Sequence, residues 1–158
     1  MRLPSARQGL SALFDLFSHY ACLGCAARTH GPAPLCASCL ACLEPAPAPP
    51  AEVRVAWAFD GPLVRAVHRA KFGGDPSVPR RLGELLVPAC DDLQGEIDRV
   101  VSVPLGAKRL FLRGYNQSTE LARSAATALG ARMEYEAVER IRETPTQTAL
   151  DRAARRRN

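Results

Sequence analysis

Long hydrophobic runs are absent from this 158-residue sequence, which excludes one class of protein. No stretch of about eighteen consecutive apolar residues occurs, so we expect no membrane-spanning helix. Arg2 and Arg7 precede a short apolar segment, but its spacing is helical and no small-residue cleavage site occurs before the first cysteines. We therefore expect no signal peptide and a cytoplasmic protein.

Lysine and aromatic residues are also scarce. Of the 21 basic residues 19 are arginines, aromatic residues make up 6% of the chain, and the formal net charge is +5. A basic surplus favours anionic partners such as phosphates or nucleic acid, although one this small selects none of them. Because aromatic side chains do not alternate with the basic ones, we expect any binding of single-stranded nucleic acid to be weak and indifferent to base sequence.

Cysteine, in contrast, is concentrated in two C-x-x-C pairs, Cys22 with Cys25 and Cys36 with Cys39, which ten residues separate. In a reducing compartment, clustered cysteines bind metal more often than they form disulfides. Two such pairs can supply a complete tetrahedral shell of thiolates for zinc. Because this shell leaves no open coordination position, the sequence predicts a structural zinc site, which would fold a segment poor in apolar residues.

The identity of the four metal ligands has alternatives. Cys42 follows Cys39 by three residues and could replace it as a ligand. His30 could be a substitute ligand, although a solvated loop residue is the simpler interpretation. Redox-active or unrelated buried thiols are a further alternative, which the paired spacing disfavours. Cys90 stands alone in an apolar stretch and is expected to be a small core residue.

A proline-rich stretch over 44–51 divides the sequence. Its composition is typical of a stiff connector without a core of its own. Before it, residues 5–19 have the spacing of an amphipathic helix. We predict an N-terminal helix and zinc ribbon over 1–43, a linker over 44–51 and a larger domain over 52–158.

The larger domain alternates strand and helix patterns, as α/β proteins do. Residues 53–59 alternate as a half-buried strand, and the segment that follows has helical spacing with Pro62 in its first turn. Helical spacing returns over 79–93. The β-branched residues over 100–103 predict a strand that ends at Pro104.

A basic loop is predicted between this strand and the next helix, because Lys108, Arg109 and Arg113 occur there without an acidic neighbour. Ligand loops of parallel α/β proteins lie at the carboxyl ends of strands, and helix N-termini attract anions. The pattern indicates an anion site, but an ordinary crossover with a solvated basic loop fits it equally well. The helix is predicted to end at Gly130, and a strand over 133–138 follows.

Three segments resemble motifs of the ComF family, also called ComF/GntX-type proteins. VPLGAKRLFLRGYNQSTELA matches its V-P-[VL]-P-x-[HS]…R-x-x-x-R-G-[FY]-N-Q block, with Gly106 where the family usually has a proline. FDGPLVRAVHRAKFGGD and RIRETPTQTALDRAARRRN match two further family segments. The resemblance implies a type I phosphoribosyltransferase-like parallel sheet with flanking helices, and a role in DNA uptake by competent bacteria. It also implies a cysteine-rich ribbon through Cys22, Cys25, Cys36 and Cys39.

One family segment has no counterpart here, the D-D-[VI]-x-T-T-G-[AS]-T loop that binds phosphoribosyl pyrophosphate (PRPP). We therefore expect an incomplete phosphoribosyltransferase-like sheet, a chain truncated before this loop or a family remnant, and no PRPP-dependent transfer. The basic segment would hold pyrophosphate weakly at most. The candidate anion-binding residues are Lys71, Lys108, Arg109, Arg113, Asn116 and Gln117.

A different class of function is open as well. A non-enzymatic zinc-ribbon adaptor would bind single-stranded DNA or a protein of the competence machinery, and a non-functional fragment is a third alternative. Tyr115 and Phe72 are the expected candidates for base stacking. An alternative interpretation is that these arginines only solvate the surface of a small α/β domain and bind no nucleic acid. The candidate nucleic-acid-binding residues are Arg65, Arg69, Lys71, Lys108, Arg109, Arg113 and the cluster over 152–157.

Overall fold

A computed structural model describes residues 20–29, 31–50 and 52–144, together with Asp151 and Ala153. The predicted helix over 5–19, His30 and the arginines of the 152–157 cluster lie outside the described residues. The described segments form a mixed helix and strand structure with a four-cysteine cluster near its N-terminal end, consistent with an α/β fold.

The first described part is a small cysteine ribbon, residues 20–43. Strands β1 (Tyr20–Ala21) and β2 (Arg28–Thr29) pair antiparallel and form a hairpin. Helix α1 (Ala37–Ala41) follows and contains one turn. These elements are too short to be stable by themselves, so the ribbon depends on its tertiary contacts and on the chemistry of its cysteines.

Helix α2 (Gly61–Phe72) begins where the sequence predicts a helix. The carboxylate of Asp60 accepts a hydrogen bond of 2.6 Å from the next amide and caps the helix. Pro62 fits the first turn because an amide hydrogen would have no partner there. Pro62, Ala66 and Ala70 are buried on one face of the helix.

The helical pattern over 79–93 becomes three short segments rather than one helix. They are α3 (Ser77–Gly83) and two 3₁₀ segments, Glu84–Ala89 and Asp91–Leu93. Pro88 lies inside the second segment and has no amide hydrogen to donate to an α-helical ladder. The apolar spacing is therefore confirmed as helical, but a continuous α-helix is not formed.

A parallel strand pair forms the second sheet. Strands β3 (Arg99–Val101) and β4 (Arg132–Glu134) pair with Val100 opposite Met133. Helices α4 (Ala107–Arg113) and α5 (Gln117–Leu129) connect them, and α5 packs against both strands. Gly130 ends α5 in the left-handed conformation, with φ of 65°, as the sequence predicts.

Helix α4 stands where a basic loop was predicted, and that prediction is wrong. Its seven residues, AKRLFLR, are all alanine, leucine, arginine, lysine or phenylalanine, most of which are strong helix formers. Gly106 precedes the helix with extended backbone, and Gly114 ends it with a φ of 78°. The basic residues are therefore fixed on a helix.

All three strands predicted in the larger domain are shorter than expected, and β3 ends at Val101 instead of at Pro104. Over 53–59, the described chain forms one isolated bridge, from Trp57 to Pro45, and no ladder. A ladder needs a partner with amide hydrogens, which proline lacks. Strand β4 ends at Glu134 instead of Val138, because β3 offers only the three residues of Arg99–Val101 for pairing.

One apolar core joins the ribbon to the helices that follow. Trp57 packs against this core and donates an indole hydrogen bond of 2.8 Å to the Leu85 carbonyl. Helices α3 and α5 approach closely at Gly83, where a Cβ atom would lie 2.8 Å from the Leu121 carbonyl oxygen. The division of the chain at 44–51 stays a prediction. The buried core consists of Cys22, Leu23, Leu35, Cys39, Leu43, Ala66, Ala70, Leu82 and Leu85.

Candidate metal centre

Four sulfur atoms meet at the ribbon. The Sγ atoms of Cys22, Cys25, Cys36 and Cys39 all lie within 4.8 Å of one another. The sulfurs of Cys25 and Cys36 are 3.8 Å apart. In a tetrahedral site with Zn–S bonds of about 2.3 Å, neighbouring sulfurs are separated by about 3.8 Å. The two pairs that the sequence singles out thus come close enough together to share one metal ion.

The first pair lies in a turn that buries the sulfur of Cys22. Cys22 is fully buried, and its Sγ accepts a hydrogen bond of 3.3 Å from the amide of Cys36. Burial raises the pKa of the Cys22 thiol, but the backbone at Cys36, Cys25 and Gly24 and the Cys25 thiol outweigh burial and lower the pKa to about 6. The turn therefore stabilises a thiolate at Cys22.

The second pair lies at the start of α1. Cys36 occupies the N-cap position of the helix and Cys39 lies one turn later, so both side chains project on the same side. Burial, and then the neighbouring sulfurs of Cys25, Cys22 and Cys36, raise the pKa of the Cys39 thiol to about 12. Four thiols this close cannot all ionise unless a cation lies among them. The cluster therefore has the chemistry of a cation site.

The other described cysteines do not join the cluster. Cys42 is exposed at the end of α1 and is not among the four close sulfurs. Cys90 is half-buried rather than a core residue, and burial together with Asp91 and Asp92 raises the pKa of its thiol. His30 lies outside the described residues.

Arginines of α2 bind the backbone of the ribbon, a role that was not predicted from the sequence. Arg65 Nε donates a hydrogen bond of 2.6 Å to the Gly24 carbonyl oxygen. Arg69 Nη1 donates one of 2.9 Å to the Cys22 carbonyl oxygen. The signal in the sequence is their four-residue spacing, which puts both on one helix face. Two side chains predicted to contact nucleic acid therefore make contacts within the protein.

Arg81 of α3 holds the outer part of the ribbon. Its guanidinium donates to the carbonyl oxygens of Ala21 at 3.0 Å, Pro32 at 2.9 Å and Ala33 at 2.7 Å. It also lies 5.2 Å from the centroid of the Tyr20 ring, within range of a cation–π contact. The ribbon is thus fastened to α3 as well as to α2.

Three predicted anion-binding residues form the joint between α4 and α5. The Arg113 guanidinium donates to Gln117 Oε1 and lies 5.8 Å from the centroid of the Phe72 ring. Asn116 caps α5 by accepting from the amide two residues later at 3.1 Å. Its side-chain amide donates to the Val103 carbonyl at 2.9 Å. These polar groups stabilise the turn between the helices.

Two other predicted residues, Lys108 and Arg109, face a different segment. The backbone amide of Lys108 donates to Glu143 Oε1 at 3.3 Å, and Arg109 Nη2 donates to the Thr144 carbonyl at 2.5 Å. A Cβ atom at Gly106 would collide with the same Glu143 carboxylate. A carboxylate of the chain itself thus lies at the start of α4.

Lys71, the sixth member of the predicted anion-binding set, is exposed in the last turn of α2. The six residues are therefore divided between the α2 end, the α4–α5 joint and the contacts with 143–144. Their role in anion binding stays a prediction.

Of the two aromatic residues predicted to stack on bases, Phe72 is exposed and Tyr115 is buried. Tyr115 is only 8% exposed, so it is not available for base stacking. Phe72 is 70% exposed, and Phe111 is 88% exposed. Phe111 was not predicted to be a stacking residue, although it lies between Arg109 and Arg113 in the chain.

These features define the chain as a mixed α/β protein with a four-cysteine cluster. Among the residues that the structure describes, no helix is long and apolar enough to cross a membrane.

The relatives of this chain carry names that refer to DNA. The chain is 33% identical to the DNA utilization protein YhgH of Salmonella typhi over 105 residues, which are 63% of this chain and 46% of that protein. It is 34% identical to the DNA utilization protein YhgH of Escherichia coli (strain K12) over 102 residues, which are 61% of this chain and 45% of that protein. The chain thus spans less than half the length of these curated relatives. No family model and no solved structure matches it.

Proposed function

We propose that Cys22, Cys25, Cys36 and Cys39 hold one structural zinc ion that folds the ribbon. The observation that carries this proposal is the approach of all four sulfurs to within 4.8 Å of one another. Tetrahedral thiolate donors select zinc or iron, and elemental analysis separates the two. Four protein ligands fill the shell and leave no position for water or substrate, so the metal stabilises structure and does not catalyse.

Two serine variants test the ligand set. Cys36→Ser removes a member of the cluster, whereas Cys42→Ser changes an exposed thiol of the same segment that lies outside it. We expect the metal to be lost from Cys36→Ser and kept in Cys42→Ser, measured as bound zinc and as the thiolate absorption of the Co²⁺-substituted protein. Loss in both variants would put Cys42 in the shell, and retention in both would refute the site.

We further propose a cytoplasmic role in DNA utilization or uptake, as a ComF-family, phosphoribosyltransferase-like protein that lacks PRPP-dependent activity in this chain. The relatives named DNA utilization protein YhgH support the DNA-related role. The parallel β3–β4 pair with its helical crossover supports a phosphoribosyltransferase-like sheet. Incubation with PRPP is expected to show no consumption above a heat-inactivated control. Consumption of PRPP above that control would refute the proposal that this chain lacks PRPP-dependent activity.

A non-enzymatic adaptor that binds single-stranded DNA is the second candidate, and the exposure of Phe111 favours it. This ring is 88% exposed next to the exposed Lys108. Aromatic rings beside cations bind single strands by stacking and charge. Proteins of the competence machinery are the alternative partners.

A titration with labelled single-stranded DNA at two salt concentrations tests this candidate. If about four phosphates are neutralised, the affinity falls with salt at a log–log slope of about −3. Phe111→Ala is expected to weaken binding by about fivefold or more, since a stacked base contributes about 1–3 kcal/mol. Phe59→Ala, which changes a ring 63% exposed outside the basic segment, is the matched control. Absent or salt-independent binding would remove the candidate.

A further inference from the structure

Two arginine side chains of α2 run along the first cysteine pair. Arg65 and Arg69 are four residues apart and lie on the same face of the helix. Ala66 is 0% exposed in the core that α2 shares with the ribbon, so the helix is held against the turn. From this face, Arg65 reaches the Gly24 carbonyl and Arg69 the Cys22 carbonyl, at 2.6 and 2.9 Å.

The Arg65 contact orients a peptide plane that serves the cluster. In a trans peptide the carbonyl oxygen and the amide hydrogen point in opposite directions. With the Gly24 carbonyl bound by Arg65, the amide of Cys25, one of the four clustered residues, points the other way. Hydrogen bonds that orient metal ligands typically change metal affinity by about 10–100-fold.

The Arg69 contact braces the turn that closes the pair. The Cys22 carbonyl accepts from Arg69 at 2.9 Å and also from the amide of Ala26 at 2.9 Å. Ala26 has a positive φ of 66°, which is uncommon for a residue with a side chain. A second donor on the Cys22 carbonyl helps to hold this turn in place.

The positive charges of the two guanidinium groups also complement the negative charge that the four-cysteine cluster would carry with a metal bound. Four thiolates around a divalent cation carry a net charge of about −2. Cys22 and Cys39 are 0% and 8% exposed, and buried charge is costly unless opposite charge lies near it. Arg65 and Arg69 bring two positive charges to the turn that carries Cys22.

We propose that Arg65 and Arg69 are positioning residues of the metal centre, an inference that rests on the zinc site proposed above. They orient the Cys22–Cys25 turn and offset the negative charge of the thiolates. Arg81 provides the comparison, because it binds the carbonyls of Ala21, Pro32 and Ala33, outside both C-x-x-C pairs.

Zinc affinity of the full chain, measured by competition with a chelator, tests this role. Arg65→Met and Arg69→Met keep an unbranched stem and lose the donor and the charge. We expect each to bind zinc about 10–100-fold more weakly and to shift the thiolate absorption of the Co²⁺ form. Arg81→Met is expected to bind zinc like the wild type. Arg65→Lys, which keeps a charge and a donor, is expected to recover part of the affinity even if the methionine variant folds poorly.

Three outcomes would overturn the inference. Wild-type affinity in both Arg65→Met and Arg69→Met would refute positioning and leave the zinc site standing. An equal loss in Arg81→Met would assign the effect to docking of the whole ribbon. Wild-type protein that binds neither zinc nor Co²⁺ would refute the zinc site itself, and this inference with it.

Discussion

The hydroxyl of Tyr115 donates a hydrogen bond of 3.1 Å to the carbonyl oxygen of Ala70. This bond fastens the joint between α4 and α5 to the last turns of α2. Burial raises the pKa of the Tyr115 hydroxyl, in keeping with its place in the interior. Together with the helix end at Gly114 and the cap at Asn116, it shows that the R-G-Y-N-Q run shapes the chain between two helices.

Replacing Tyr115 with phenylalanine removes this hydrogen bond and leaves the ring in place. We expect the free energy of unfolding to fall by about 1 kcal/mol, because the Ala70 carbonyl loses a buried donor. Urea unfolding measures the change. Tyr135→Phe, at a side chain 53% exposed, is the matched control and should have little effect. Equal stability of the two variants would contradict the structural role of the Tyr115 hydroxyl.

The ribbon, α2 and the second cysteine pair approach one another closely at Gly24. A Cβ atom there would lie 2.8 Å from Pro62 Cβ and 3.0 Å from Cys39 Sγ. We expect Gly24→Ala to lower the free energy of unfolding by about 1–3 kcal/mol through overpacking, and to weaken metal binding. Thermal unfolding and bound zinc report the two effects. Wild-type stability and metal content in this variant would contradict the close contact at Gly24.

An ion pair between Arg80 and Glu120 connects α3 to α5. Glu120 is 9% exposed and accepts from Arg80 Nε at 3.1 Å and Nη2 at 2.8 Å. We expect Glu120→Ala to lower the free energy of unfolding by about 1–3 kcal/mol. The loss is not larger because the Arg80 side chain is 60% exposed and solvent screens the pair. Glu134→Ala, which breaks the more exposed pair with Arg99, should cost less than about 1 kcal/mol. Denaturant unfolding in which Glu134→Ala is the more damaging change would refute this ranking.

The parts of this protein that could be predicted from its sequence are those set by short-range patterns. The C-x-x-C spacing brings two thiols together within one turn, and the helix start at Pro62 and the helix end at Gly130 depend on adjacent backbone groups. The partner of Arg65 could not be predicted, because a guanidinium binds a phosphate and a distant carbonyl such as that of Gly24 through the same hydrogens. The prediction of a strand over 53–59 was wrong for a similar reason, since a strand forms only where a neighbouring strand is available for pairing.

The most direct test of the account is the metal content of the freshly purified, reduced protein. Elemental analysis should find about one zinc per chain, as expected for a complete shell of four thiolates. Cys22→Ser, prepared in parallel, should have lost it. Zinc near one equivalent in the wild type and absent from the variant is the result that we expect. Wild-type protein without zinc, or with iron in its place, would contradict the central claim.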